Sequence, residues 1–112
     1  MTKYLVTFPS SAMDLSPENL AGASVDSHAV IEELKSAGVY VFGGGIDESA
    51  PPVRVSADGT VSSELYPGSD LTGGFLVLEL PSREDALHWA SRVAAACRCD
   101  QEVREFGYDP AS

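Results

Sequence analysis

Basic residues are scarce in this sequence. It contains 7 Lys and Arg against 17 Asp and Glu, which gives a formal net charge of -10. Affinity for a phosphate backbone comes mostly from Lys and Arg that displace counterions, so this charge argues against nucleic acid as a partner. It argues equally against binding to anionic membrane surfaces.

Cysteines and long apolar runs are scarce as well. Cys97 and Cys99 are too few for a disulfide framework, which indicates a reducing, cytoplasmic compartment. Their C-x-C spacing supplies two ligands where a structural zinc site needs four, so we predict free, partly buried thiols and no metal site. The apolar run Phe75 to Leu78 is far shorter than the roughly 20 residues that cross a bilayer. The segment MTKYLVTF stops at Pro9 without a small-residue cleavage site, which disfavours a secretory signal.

The length predicts one domain over residues 1–112, with a core over 3–106 and a tail over 107–112. A chain of 112 residues with 44% hydrophobic residues can bury one core. Such a core is thin, because a small domain buries a smaller share of its surface than a large one. Association with a partner would therefore add substantially to its stability.

The first half of the chain predicts a strand, a long connector and a helix. Lys3 to Phe8 is rich in aromatic and β-branched residues, which favours a strand. A connector over residues 9–24 follows, in which Ser16 and Pro17 could start a small separate helix. Apolar residues at helical spacing predict the main helix from about residue 25 to 37, ended by a left-handed Gly38. Connectors of this length are often lids or binding loops, although a simple exposed excursion is an equally good interpretation.

The second half predicts three further strands, a hairpin and one more helix. Ser82 is expected to cap the helix, because Ser-x-x-Asp places a hydroxyl and a carboxylate at its first turn. Asp58-Gly59 between two valine-containing arms is typical of a β-hairpin. The predicted elements are a strand over 39–42, this hairpin, a strand over 73–80, a helix from Ser82 and a strand over 102–106.

This order predicts an α+β fold of the ferredoxin-like type, βαββαβ with an inserted β-hairpin and an antiparallel sheet. Side chains alternate across a strand, so Leu76 and Leu78 should face one way and Phe75 and Val77 the other. Both faces are apolar, whereas two helices can cover only one. We therefore predict a homodimer formed by stacking the open faces of two sheets.

An alternative is that the hairpin or the long connector covers the second face within one chain. In the strand over 39–42, alternation predicts that Tyr40 and Phe42 share a face. Gly43-Gly44-Gly45 follows this strand, but no helix and no Lys come after it. The glycines therefore indicate a turn or bulge and not a phosphate-binding loop.

His28 is the most interesting titratable residue. The sequence places it in the first turn of the main helix, after the connector and one turn before Glu32, which could hold its ring. Its angular position lies off the apolar stripe, so a solvated surface histidine is the alternative interpretation. His88, by contrast, is predicted to face water beside Arg92.

Several motifs in order resemble the YCII-related family, in its DGPF-type branch. They are VYVFGGGI at 39–46, VRVSADGTV at 53–61, LTGGFLVLELPSREDALHWASRV at 71–93 and QEVREF at 101–106. The resemblance covers residues 3 to about 106. It implies a ferredoxin-like fold that pairs as a dimeric α/β barrel.

The resemblance also implies a site made of a helix-one histidine and an acidic residue near the end of the first strand. The histidine corresponds to His28, and the nearest acidic candidate is Asp14. The family's D-G-P triplet is replaced by Ser63, Glu64 and Leu65. Any family activity that depends on this triplet is not expected here.

The leading hypothesis is a small protein that binds or transforms a small organic molecule in a cleft near helix one. If it is an enzyme, which the sequence leaves open, His28 would be the general acid or base and Asp14 would orient it, without a cofactor or a metal. The alternative is a non-catalytic dimerisation or ligand-sensing module. A third possibility is a redox or oxygen-using enzyme of the dimeric-barrel type. It needs an interior cavity large enough for an aromatic substrate, which Tyr40, Phe42 and Phe75 are expected to fill.

Overall fold

The computed structural model describes residues 1–13 and 16–112. Its elements are β1 (Thr2–Phe8), a short 3-10 helix (Ser10–Ala12), α1 (Pro17–Ser36), β2 (Tyr40–Gly45), β3 (Arg54–Val55), β4 (Val61–Ser62), β5 (Gly74–Leu80), α2 (Arg83–Cys97) and β6 (Glu102–Glu105). Four strands form an antiparallel sheet in the order β2-β5-β1-β6. This is the predicted ferredoxin-like α+β arrangement. None of the described helices is both long and apolar enough to cross a bilayer.

Helix α1 begins eight residues earlier than the sequence pattern indicated. It runs without interruption from Pro17 to Ser36, so the small helix and the main helix are one element. The prediction of a connector over 9–24 was therefore wrong. Gly22 lowers helix propensity, but Arg98 packs on it, since an added Cβ would lie 3.1 Å from the guanidinium. This tertiary contact also brings Arg98 to Asp26, 2.9 Å away.

Both helix ends that the sequence predicted are confirmed. Gly38 has a φ of 75°, and Val39 donates its N–H to the carbonyl of Leu34 at 3.2 Å, which closes the C-terminus of α1. At the start of α2, the Ser82 hydroxyl accepts a hydrogen bond from the Asp85 N–H at 3.2 Å. The chain therefore turns from β5 into α2 by local capping.

The core lies between the sheet and the two helices. Tyr4, Val6, Leu76, Leu78 and Leu80 on the sheet are all buried. From the helices, Val30, Leu34, Ala86, Ala90, Val93 and Ala96 pack against them. The alanines on α2 let this helix lie close to the sheet and to α1. Ion pairs join the helices, Arg92 with Glu33 and Arg98 with Asp26.

The faces of β2 differ from the prediction. Tyr40 pairs with Leu78, but Phe42 pairs with Val77, because a bulge shifts the register between them. Tyr40 therefore packs against the helix-covered core, whereas Phe42 lies on the opposite face and is 62% exposed. One extra residue in a strand reverses the side on which every later side chain lies. The glycines 43–45 continue this strand and do not form a turn.

The hairpin prediction is confirmed. Strands β3 and β4 pair as a separate two-stranded sheet, with Val55 opposite Val61. Ser56 donates its N–H to the Thr60 carbonyl at 2.9 Å, and Gly59 has a φ of 89°. The Thr60 N–H and side chain bond to Asp58, which holds the pKa of that exposed carboxyl below its usual range. The hairpin is an appendage of the fold and not an edge of the main sheet.

Candidate functional site

A cleft of about 460 Å³ opens on the helix-covered side of the sheet. Helix α1 forms one wall, through Ser27, His28 and Ile31. Buried apolar side chains form the floor, among them Val6, Leu76 and Val93. The loop after β2 forms the rim with Ile46 and Glu48. A volume of several hundred Å³ with an apolar floor and few polar groups is characteristic of sites for small molecules.

Glycines make the room for this cleft. Gly43, Gly44, Gly45, Gly73 and Gly74 line it where β2 and β5 meet at the sheet end. At Gly43, an added Cβ would lie 3.1 Å from the Tyr40 hydroxyl and 3.2 Å from a Leu76 methyl carbon, so any other residue would crowd the floor. Glycines within a strand commonly mark a place where a ligand or another chain segment approaches the backbone closely.

His28 lies in the middle of α1 and not in its first turn, because the helix starts at Pro17. It is exposed and lines the cleft. The prediction that it would stay outside the core is confirmed. Glu32, which could have held its ring, instead pairs with Lys35 at 3.5 Å. Among the described residues, His28 therefore keeps its ring nitrogens available to a molecule in the cleft.

Glu48 is the acidic residue that the structure brings to the cleft. Its carboxylate accepts a hydrogen bond from the Ser10 hydroxyl at 2.9 Å, and the Ser10 N–H donates to the Thr72 hydroxyl oxygen at 3.0 Å. These bonds tie the segment after β1 to the segments before and after the hairpin. Glu48 is thus held at the rim of the cleft.

Asp14, the predicted partner of His28, lies outside the described residues. No sequence pattern assigned a role to Glu48. The available signal was its position three residues after a glycine run that ends a strand, where chain segments converge. The contact with Ser10, 38 positions away in the chain, is tertiary and is not visible in any local pattern.

Cys97 and Gln101 close the cleft beside the end of α2. Both cysteines are free and partly buried, as predicted. Burial raises the pKa of Cys97, and Cys99 raises it further, whereas Arg98 has a smaller opposing effect. Burial likewise raises the pKa of Cys99. Because the thiolate is the nucleophile, these protonated thiols are poorly suited to covalent catalysis at neutral pH. The Gln101 side-chain N–H donates a hydrogen bond to the Cys99 carbonyl at 3.2 Å, which positions the Gln101 side chain beside the end of α2.

Charge within the cleft has one sign. Glu48 is the only acidic residue among the described residues that line it, and no Lys or Arg stands there. Nor do three or more His, Cys, Asp and Glu side chains come together at a metal-binding distance anywhere in the described parts of the chain. The arrangement can therefore hold an apolar group on the floor and exchange hydrogen bonds or a proton with polar groups through His28 and Glu48.

The opposite face of the sheet is a second candidate site, for a macromolecule. None of the described helices covers it, and Leu5, Phe75 and Val77 are only partly buried there, beside the exposed Phe42. Lys3 and Glu79 form an ion pair on this face at 3.5 Å, and Arg104 and Glu102 form another at 3.6 Å. The prediction that the helices cover only one face of the sheet is confirmed, whereas the open face combines apolar side chains with these two ion pairs.

Comparison with known proteins adds no assignment. No model of a known protein family matches this chain, and no curated protein is significantly similar to it.

Proposed function

We propose that the protein binds a small organic molecule in the cleft beside α1. The ligand is mainly apolar, and its polar end is neutral or positively charged. The observation that carries this proposal is the joint presence of His28 and Glu48 on one cleft with a buried apolar floor. The absence of Lys and Arg among the described lining residues disfavours carboxylates and phosphates, and a net charge of -10 disfavours them further.

If the bound molecule is transformed, His28 is the proposed general acid or base. Histidine is the side-chain type that most readily exchanges a proton near neutral pH. Asp14 stays a prediction for the group that orients it, while Glu48 is the acidic residue whose position is described. The resemblance to YCII-related proteins agrees with a helix-one histidine in this role. The small number of cysteines supports a cytoplasmic location.

The ligand class can be tested with three probes of the same ring and different charge. We expect benzylamine and benzyl alcohol to bind more tightly than benzoate, measured by amide chemical shifts of the ¹⁵N-labelled protein. Gly43, Gly44 and Gly45 should report the binding, because their amides line the cleft. His28→Ala should weaken binding by about fivefold, since one hydrogen bond is lost.

Two further variants serve as a control for His28→Ala and as a test of the role of Glu48. His88→Ala is the matched control, because His88 is exposed on α2 outside the cleft, and it should leave binding unchanged. Glu48→Gln should weaken the binding of benzylamine by about tenfold but that of benzyl alcohol by less than about twofold, since only the amine carries a charge. If no probe shifts the cleft amides, or if His28→Ala binds like the unsubstituted protein, the proposal is wrong.

We further propose that the protein is a homodimer in which the open sheet faces stack. Support comes from the exposed Phe42 beside the partly buried Val77 on a face that none of the described helices covers. The face carries charges of both signs, which is compatible with a self-complementary two-fold contact. This proposal corresponds to the dimeric α/β barrel that the family resemblance implies.

Sedimentation of single-site variants tests the dimer. The unsubstituted protein should sediment as a dimer at micromolar concentration, and Phe42→Asp should sediment as a monomer, because a buried unpaired carboxylate is strongly unfavourable. Val25→Asp is the control, since Val25 is 70% exposed on α1 and lies away from the sheet. A dimer that tolerates Phe42→Asp would rule out this face as the contact.

A further inference from the structure

Residues 53–71, here called the arm, contain the β3-β4 hairpin, which pairs with no strand of the main sheet. Among the described residues, the hydrogen bonds of the arm join two members of the arm, as between Ser56 and Thr60 or between Ser69 and Tyr66. Arg54 lies over the Tyr66 ring, 5.8 Å from its centroid, which is again a contact within the arm. The described body therefore supplies no hydrogen bond that would hold the arm in place.

The arm exposes apolar side chains that a solitary hairpin would not be expected to carry. Val55 and Val61 face each other across the two strands and are 62% and 61% exposed. Tyr66 and Leu71 are exposed further along. A two-stranded hairpin is at best marginally stable in water unless it packs against something else. The arm is thus built like part of an interface.

The surface area indicates the size of that interface. The chain exposes 7513 Å², whereas a compact monomer of 11.8 kDa is expected to expose about 5,900 Å². Its radius of gyration is 15.7 Å, against about 13 Å expected for 112 residues. The excess of about 1,600 Å² lies within the roughly 1,000 to 2,500 Å² that one protomer buries in an obligate homodimer interface.

The position of the arm connects it with the open sheet face. Gly68, Asp70 and Leu71, at the end of the arm, line a cavity of about 330 Å³ together with Leu5 and Thr7 of β1. Thr7 lies on the open face and is 8% exposed. Leu71 at the end of the arm therefore borders the same cavity as Leu5 and Phe75 of the open face.

We propose that the arm of each protomer packs against a second copy of this chain and forms part of the dimer interface, beside the stacked sheet faces. This inference rests on the proposed homodimer and adds a second, separate contact to it. A second copy is the occupant that the area favours, since the excess surface per chain matches that of an obligate dimer. Such a contact explains how an isolated hairpin stays folded.

The test removes the apolar pair and keeps the hairpin. In Val55→Lys with Val61→Glu, opposite charges face each other across the strands, so the hairpin keeps a favourable cross-strand pair. We expect the dissociation constant of the dimer, measured by sedimentation, to rise by about tenfold or more. Ser56→Lys with Thr60→Glu is the control, because it places the same two charges at the turn of the hairpin. It should change the dissociation constant of the dimer by less than about threefold.

Hydrogen exchange gives an independent measurement on the unsubstituted protein. The amides of Ser56 and Thr60 should become more protected as protein concentration rises, because the dimer stabilises the arm. A dimer whose affinity is unchanged by Val55→Lys with Val61→Glu would overturn the role of the arm alone. A protein that is monomeric at every concentration would overturn the proposed homodimer as well.

Discussion

Gly73→Ala is expected to destabilise the protein by about 3 kcal/mol or more, as measured by urea unfolding. Two costs add at this position. Gly73 has a φ of 75°, a conformation that alanine adopts only with strain. An added Cβ would also meet the end of β1, colliding with the Phe8 carbonyl oxygen and lying 2.8 Å from the Ser10 amide nitrogen. These are backbone atoms, which cannot rotate away as a side chain can.

Gly59→Ala is the matched control for Gly73→Ala. Gly59 has a φ of 89°, but an added Cβ would meet nothing within 4 Å. Only the backbone strain remains, so Gly59→Ala should lower the free energy of unfolding by about 1 kcal/mol. The difference between the two variants measures the close approach of β1 and β5. Equal losses of stability would show that this approach does not constrain the fold.

Leu78→Ala should lower the free energy of unfolding by about 2 to 5 kcal/mol. Leu78 is completely buried at the centre of the sheet, where it pairs with Tyr4 on one side and Tyr40 on the other. These neighbours belong to different strands and cannot all collapse into the space that the substitution leaves. The loss is a large part of the stability that a small domain has in total.

Leu87→Ala is the control for Leu78→Ala. It makes the same chemical change on α2, where Leu87 is 45% exposed. Because alanine favours helix and little apolar area is lost, the change should stay within about 0.5 kcal/mol. Urea unfolding of both variants at one protein concentration gives the comparison. A Leu78→Ala loss as small as that of Leu87→Ala would contradict the assigned core.

The candidate site was only partly predictable. His28 could be singled out because it is one of two histidines and follows the predicted connector, one turn before Glu32. Its place in the first turn was wrong, because α1 starts at Pro17 and continues through Gly22, on which Arg98 packs. Glu48 could not be assigned, because its position depends on a hydrogen bond to Ser10 across 38 positions of the chain. Sequence periodicity carries no information about such contacts.

The sequence by itself determined the local features: the Ser82 cap, the end of α1 at Gly38, the Asp58-Gly59 hairpin and the alternation along β5. Each depends on residues within a few positions of one another, so propensity and capping chemistry suffice. Only the tertiary structure decided the side on which Phe42 lies and which groups share the cleft with His28. The bulge in β2 and the convergence of the glycine segments arise from packing between distant parts of the chain, and local residue preferences cannot specify them.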